Sequence, residues 1–272
     1  MHNRALKKMA LALTFWLALH ASSLKAQILG PYGTSPITFE VDANGLLSAT
    51  GTFGTGSLSL SGAGTRMFWY PGKAAFRAGY VDGIEWNDSN IGQYSVALGW
   101  KTEASGFASV ALGSSTFASG RMSTAFGTST SAAGDYSVAF GWSTYASGFQ
   151  ATTWGDDSTA SGNTSTAFGF LTTASGNYST ASGIYTTTSA YDSFAIGRYN
   201  VGNGNPTTWV PADPLFEVGN GNSGTVSSGY VPVFSDAFVV YKNGNAAVQG
   251  NLNAGGVITA QPGGDIPMFQ GN

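Results

Sequence analysis

The 272-residue sequence has no cysteine, and its two histidines, His2 and His20, both fall within the first 26 residues. Beyond residue 26 there is therefore no disulfide framework, no Cys or His zinc set and no His-assisted Ser or Cys nucleophile. Charge is scarce as well, with Asp, Glu, Lys and Arg at 9% of residues. Four of the 11 basic residues lie in 1–26, which leaves seven against fourteen acids and a net charge of −7 for the remainder. Phosphate binding needs clustered Lys and Arg, so no nucleic-acid partner is expected. The 39 glycines among many Ser and Thr resemble a disordered composition. Low charge together with 13% aromatic residues argues instead for an ordered, all-β chain.

Residues 1–26 read as a signal peptide: Arg4, Lys7 and Lys8, an apolar run from Met9 to Leu19, then small residues ending at Ala26. The run is too short to cross a bilayer stably, so the protein is expected to be exported. Four regions are expected to follow. Residues 27–78 read as a β-rich cap, 79–94 as an irregular entry rung and loop, and 95–205 as a repeat array. Residues 206–272 form a C-terminal region whose Asn243-Gly244 pair, set between two apolar runs, marks a β-hairpin.

The array carries most of the information. Glycine recurs every fourteen residues at Gly99, Gly113, Gly127, Gly141, Gly155, Gly169, Gly183 and Gly197. A unit of fourteen is too short for a helical repeat but suits one coil of a parallel β-solenoid. A second glycine column, Gly106 to Gly176, predicts two turns and two short strands per coil. Coils paired in register stack ~4.8 Å apart, so eight make a rod roughly 40 Å long.

Strand alternation sorts the positions onto two faces. Alanine dominates positions three and ten, and a coil this thin has room inside for little more. The larger residues are then sent outward: Val96 and Val110 at position two, with Leu98, Leu112, Phe126, Phe140, Trp154, Phe168 and Ile196 at position four. A continuous apolar ridge needs a cover, and the simplest is the same ridge of another copy, in a closed cyclic homo-oligomer. The alternative turns the ridge inward and gives a monomeric solenoid.

Ser-Val-Ala-Leu-Gly at 95–99 and 109–113, Ser-Val-Ala-Phe-Gly at 137–141 and Ser-Phe-Ala-Ile-Gly at 193–197 resemble the YadA-like head repeat of trimeric autotransporter adhesins. The resemblance covers about 95–205. It implies a left-handed parallel β-roll, a homotrimer, and display at a bacterial surface where such heads bind host matrix or cells. Neither the usual coiled-coil stalk nor a membrane β-barrel is expected after Asn205, which leaves outer-membrane attachment open.

The function expected is that of a non-enzymatic, extracellular adhesin-like head with an extracellular protein or glycan ligand. Trp100, Phe117, Trp142, Tyr145, Phe170 and Tyr185 are the candidate ligand-surface residues, since aromatics on a rigid sheet suit such contacts. A second reading takes the column Thr102, Thr116, Thr130, Thr144, Thr172 and Thr186 as a flat hydroxyl array that binds ice or a crystal surface. A polysaccharide lyase or hydrolase fits worst, because the coils are short and no cleft with paired acids is visible. Asp82, Glu85 and Asp88 read as solvated loop charges, and no metal or cofactor is expected.

Overall fold

The computed structural model describes residues 26–27, 38–41, 45–226 and 229–251. Apart from Ala26, the expected signal peptide lies outside them. Ala26–Gln27, Thr38–Val41 and Leu47–Thr50 form a small antiparallel sheet. The rest of the described chain is organised by a parallel β-solenoid with coils of about fourteen residues. Each coil has a five-residue strand, from Val96–Trp100 to Phe194–Arg198, and a two-residue strand, from Glu103–Ala104 to Thr187–Thr188. Pairing is in strict register, as in Ala125↔Ala139, Phe126↔Phe140 and Gly127↔Gly141.

The interior contains only small side chains. Ala97, Ala111, Ala125, Ala139, Ala167 and their position-ten counterparts are fully buried. Position-one serines share the interior, and most close the preceding turn: Ser109, Ser123 and Ser165 donate their hydroxyls to the carbonyls of Gly106, Gly120 and Gly162 at 2.7–2.8 Å. Serine recurs there because a buried hydroxyl needs a partner within reach.

The turns do not sit on the glycines. The left-handed residues lie two places later, at Lys101, Ser115 and Ser129 on one edge and Ala108, Met122 and Tyr136 on the other. That conformation aims the amide at the preceding coil, as in Ser115 N to Trp100 O and Met122 N to Phe107 O, both 2.7 Å. A stacking bond thus offsets the modest cost of a non-glycine residue at positive φ. The position-five glycines are needed for a different reason. Gly127 lies at φ +130°, and a Cβ on it would come 2.0 Å from the carbonyl oxygen of Gly141.

The solenoid overruns both expected boundaries. The strand Ala75–Val81 pairs in parallel with Val96–Trp100 and in antiparallel with Gly64–Tyr70, so a break at 78/79 would cut through a rung. At the other end, Pro214–Asn220 pairs in parallel with Phe194–Arg198, carrying the sheet past residue 205. Asp236–Tyr241 and Ala246–Val248 then add in antiparallel around the turn at Asn243-Gly244.

Each end of the stack is closed by a residue that breaks the small-side-chain rule. Arg77 occupies an alanine position in register with Ala97 and is fully buried. Its guanidinium donates to the Ser95 carbonyl and hydroxyl and to the Ala104 carbonyl at 2.8–3.0 Å. Burial lowers its pKa to about 10, against the pull of Glu103, so it stays charged at neutral pH. Trp86 covers the same end, fully buried, with its indole N–H on the Thr102 carbonyl at 2.7 Å. Arg77→Met keeps the bulk and removes the donors. It is expected to cost about 2 kcal/mol of stability, read as a lower melting temperature; an unchanged melt would contradict the role assigned to the guanidinium.

At the far end Glu217, in register with Ala195, is 3% exposed. Its carboxyl accepts from Asn200 Nδ2 at 2.7 Å and from the Gly202 amide at 3.3 Å. Burial, then the nearby Asp236 charge, raise its pKa from 4.5 to about 7. Asp236 is raised in the same direction, mainly by burial. A carboxyl held above its unfolded value favours the fold below that value and loses this contribution as pH climbs through the folded one. Stability is therefore expected to fall by roughly 3 kcal/mol between about pH 4.5 and pH 7. Thermal melts across this range check it. Glu217→Gln is expected to flatten the profile, and an equally steep profile in that variant would refute the assignment.

Candidate functional site

A solenoid with no room inside puts its chemistry on its outer surface. The position-four residues stand on the outer face of the long strands: Phe126, Phe140, Trp154 and Phe168 are exposed at 41–57%, and Leu98, Leu112 and Ile196 are half-buried beside them. Val96 and Val110 flank them at position two, half-buried. Register turns these side chains into ladders; the rings of Phe126 and Phe140 stack at 5.1 Å with 11° between planes. Ser182 interrupts the position-four column between Phe168 and Ile196. The ridge then continues past the repeats, where Phe194 stacks on Phe216 at 5.9 Å and Phe216 meets Phe238 edge-on at 6.3 Å.

Of the candidate ligand-surface residues, Trp100, Phe117, Trp142, Tyr145 and Phe170 are exposed. Among the described residues, Trp142 has no ring partner, and Trp100 has only Lys101 Nζ over its face at 5.5 Å. Trp142 and Tyr145 flank one turn of a single coil. Tyr185 serves a different purpose: its ring stacks on Tyr199 at 4.7 Å and meets Phe170 edge-on at 5.8 Å, and Tyr199 in turn meets Phe234. It packs the C-terminal end of that edge instead of standing free.

The threonine column is corrected outright. Thr102, Thr116, Thr130, Thr144, Thr172 and Thr186 are 0–1% exposed and line the interior. Positions eight and ten lie two apart on one strand and so share a face, which assigns threonine to the same side as the inward alanines. No exposed hydroxyl array exists at these residues, and the ice-binding reading loses its basis.

The loop acids are committed to structural partners. Asp82 pairs with Lys101 at 3.1 Å, Asp88 with Lys73 at 3.4 Å, and Glu85 accepts the Gly83 amide at 3.1 Å. Asp157 occupies a left-handed turn. Among the described residues, no group of three or more His, Cys, Asp or Glu is placed to hold a metal ion.

Sequence reasoning missed the capping residues Arg77, Trp86 and Glu217. For Arg77 and Glu217 the signal is a charged residue at position three of a strand that otherwise follows the repeat, as in Phe76-Arg77-Ala78-Gly79 and Phe216-Glu217-Val218-Gly219; Trp86, in a loop, carries no such signal.

No curated protein matches the chain. The family model of the YadA head domain repeat matches at residues 91–116, 118–144, 143–163, 160–186 and 174–200. The matched stretch coincides with the in-register coils that carry the outward ridge and the alanine interior. Over residues 91–200, about two fifths of its length, the chain is therefore similar to a run of YadA head domain repeats.

Proposed function

We propose that the protein is an exported, non-enzymatic, adhesin-like head in which three copies close around their apolar ridges and present a rigid rod to matrix, cells or glycans. The observation that carries this reading is the ridge itself: rings as large as Trp154 stand outside a coil whose interior accepts only small side chains. Burying a Phe or Leu side chain contributes roughly 1.5–3 kcal/mol, so a ladder of them drives strong association. Parallel copies about one axis keep every rung level with its counterparts, which favours a closed ring over an open chain. The YadA head match supports both self-association and surface display.

Contact with ligand is assigned to the candidate aromatics off the ridge, and of the six Trp142 and Trp100 are the most accessible. A screen against immobilised matrix proteins and glycans, run with the native protein and the Trp100→Ala and Trp142→Ala variants, tests this. Binding is expected to weaken about tenfold in at least one variant, the loss typical of a central aromatic contact. Undiminished binding in both would remove these two residues from the ligand surface.

A further inference from the structure

The second turn of the coil carries a pattern with a longer period than the coil. Positions thirteen and fourteen hold an aromatic pair at Tyr94/Phe107, at Tyr136/Phe149 and at Tyr178/Tyr191, each pair 42 residues after the last. That is three coils, or ~14 Å along the rod. The pairs share one geometry, with ring centroids 5.3, 5.6 and 5.4 Å apart and planes crossing at 78°, 78° and 71°. Phe53 stacks on Tyr94 at 5.1 Å and Arg121 lies 5.0 Å over Phe107, so the first pair is partly covered and the middle one is open.

Between the pairs position fourteen holds Ala108, Met122, Gln150 and Thr164, while position thirteen is polar, with Arg121, Asp135, Asn163 and Asn177. Three of these are fixed along the rod, because each accepts the backbone N–H of the residue one coil earlier. Asp135 Oδ1 takes that of Arg121 at 2.8 Å, Asn163 Oδ1 that of Phe149 at 3.2 Å, and Asn177 Oδ1 that of Asn163 at 2.9 Å. Among the described residues, the second carboxylate oxygen of Asp135 and the amide nitrogen of Asn163 have no hydrogen-bond partner.

We propose that this edge is a three-site cradle for a single extended, uncharged polysaccharide. The proposal rests on the adhesin reading and names its ligand class. Each crossed ring pair offers a small apolar area, on the scale of one sugar ring and partly covered at the first pair, and not the broad patch a protein partner would cover. Rigid polar groups beside each pair can bond sugar hydroxyls. The basic groups near this edge are engaged: Lys73, whose carbonyl accepts the Tyr94 amide, pairs with Asp88, Arg121 lies over Phe107, and Lys242 sits near the Asp213 and Asp192 charges. The chain beyond residue 26 is net acidic as well, so a polyanionic glycan is disfavoured. Equal spacing on a stiff rod makes the second and third contacts of a linear polymer intramolecular, which multiplies weak single-site affinities.

The test measures retention of the full chain on dextran, mannan and cellulose, with heparin as the charged control. At least one neutral polymer is expected to bind, and its disaccharide to bind at least about a hundredfold more weakly. Tyr136→Ser with Phe149→Ser is expected to weaken polymer binding about tenfold, and adding Tyr178→Ser with Tyr191→Ser to abolish it. The inference is overturned if no neutral polymer is retained, if heparin alone is, or if the four-residue variant binds normally. A fall in oligomer mass in that variant also overturns it, because the edge would then be an interface between copies. If the variant still attaches to cells or matrix proteins, the adhesin reading survives without the cradle. If the native protein runs as a single chain and attaches to nothing, both fall.

Discussion

Gly141→Ala is expected to disrupt the stack at its middle. The backbone lies at φ +126°, a conformation that L side chains rarely adopt, and an added Cβ would sit 2.0 Å from the carbonyl oxygen of Gly155. The conformational term costs about 1–3 kcal/mol and the overpacking a further 1–3, against a rigid backbone neighbour that cannot yield as a flexible side chain could. A total near 4 kcal/mol is comparable with much of a domain's stability. The same clash recurs through the column, from Gly79 against Gly99 to Gly183 against Gly197. Circular dichroism and melting of the variant check the expectation, and a native melt would mean that the coils can separate without loss. Ala139→Gly, two residues away, offers a control that removes a methyl without any clash and is expected to cost about 1 kcal/mol.

Phe140→Asp should separate association from folding. Phe140 is 49% exposed in the single chain, stacked on Phe126 and in register with Trp154, so its replacement leaves the alanine interior intact. In a three-chain assembly it places three carboxylates around one axis in an apolar setting. An unpaired buried charge costs several kcal/mol, and three of them repel one another as well. The variant is expected to run as a folded single chain, with unchanged β signal and a mass one third that of the native protein. An unaltered assembly would show that this ridge is not where the copies meet.

The sequence disclosed the solenoid because fourteen-residue spacing leaves few alternatives, and the alanine columns followed from how little space two close sheets enclose. Its errors have physical causes. Threonine at position eight was sent outward because a flat column of hydroxyls suggests a surface, although strand parity places it with the inward alanine two residues on. The turns were put on glycines because glycine is the default residue at positive φ. Here neighbouring coils stabilise Ser115, Met122 and Tyr136 in that conformation, while glycine is kept for the close approach of backbones. The capping by Arg77, Trp86 and Glu217 was hidden because each closes the stack through contacts many residues away, as in the Arg77 bonds to Ser95 and Ala104. The three-coil recurrence of aromatic pairs was present in the sequence throughout. It became visible once the fold brought Tyr136 beside Phe149 and Tyr178 beside Tyr191.

The central claim is that the apolar ridge is covered by copies of itself. Light scattering coupled to size-exclusion chromatography, on the protein purified without detergent, measures this directly. Three chains per particle is the expected mass, independent of concentration down to the micromolar range. A single-chain mass with the ridge still exposed to water would contradict the account.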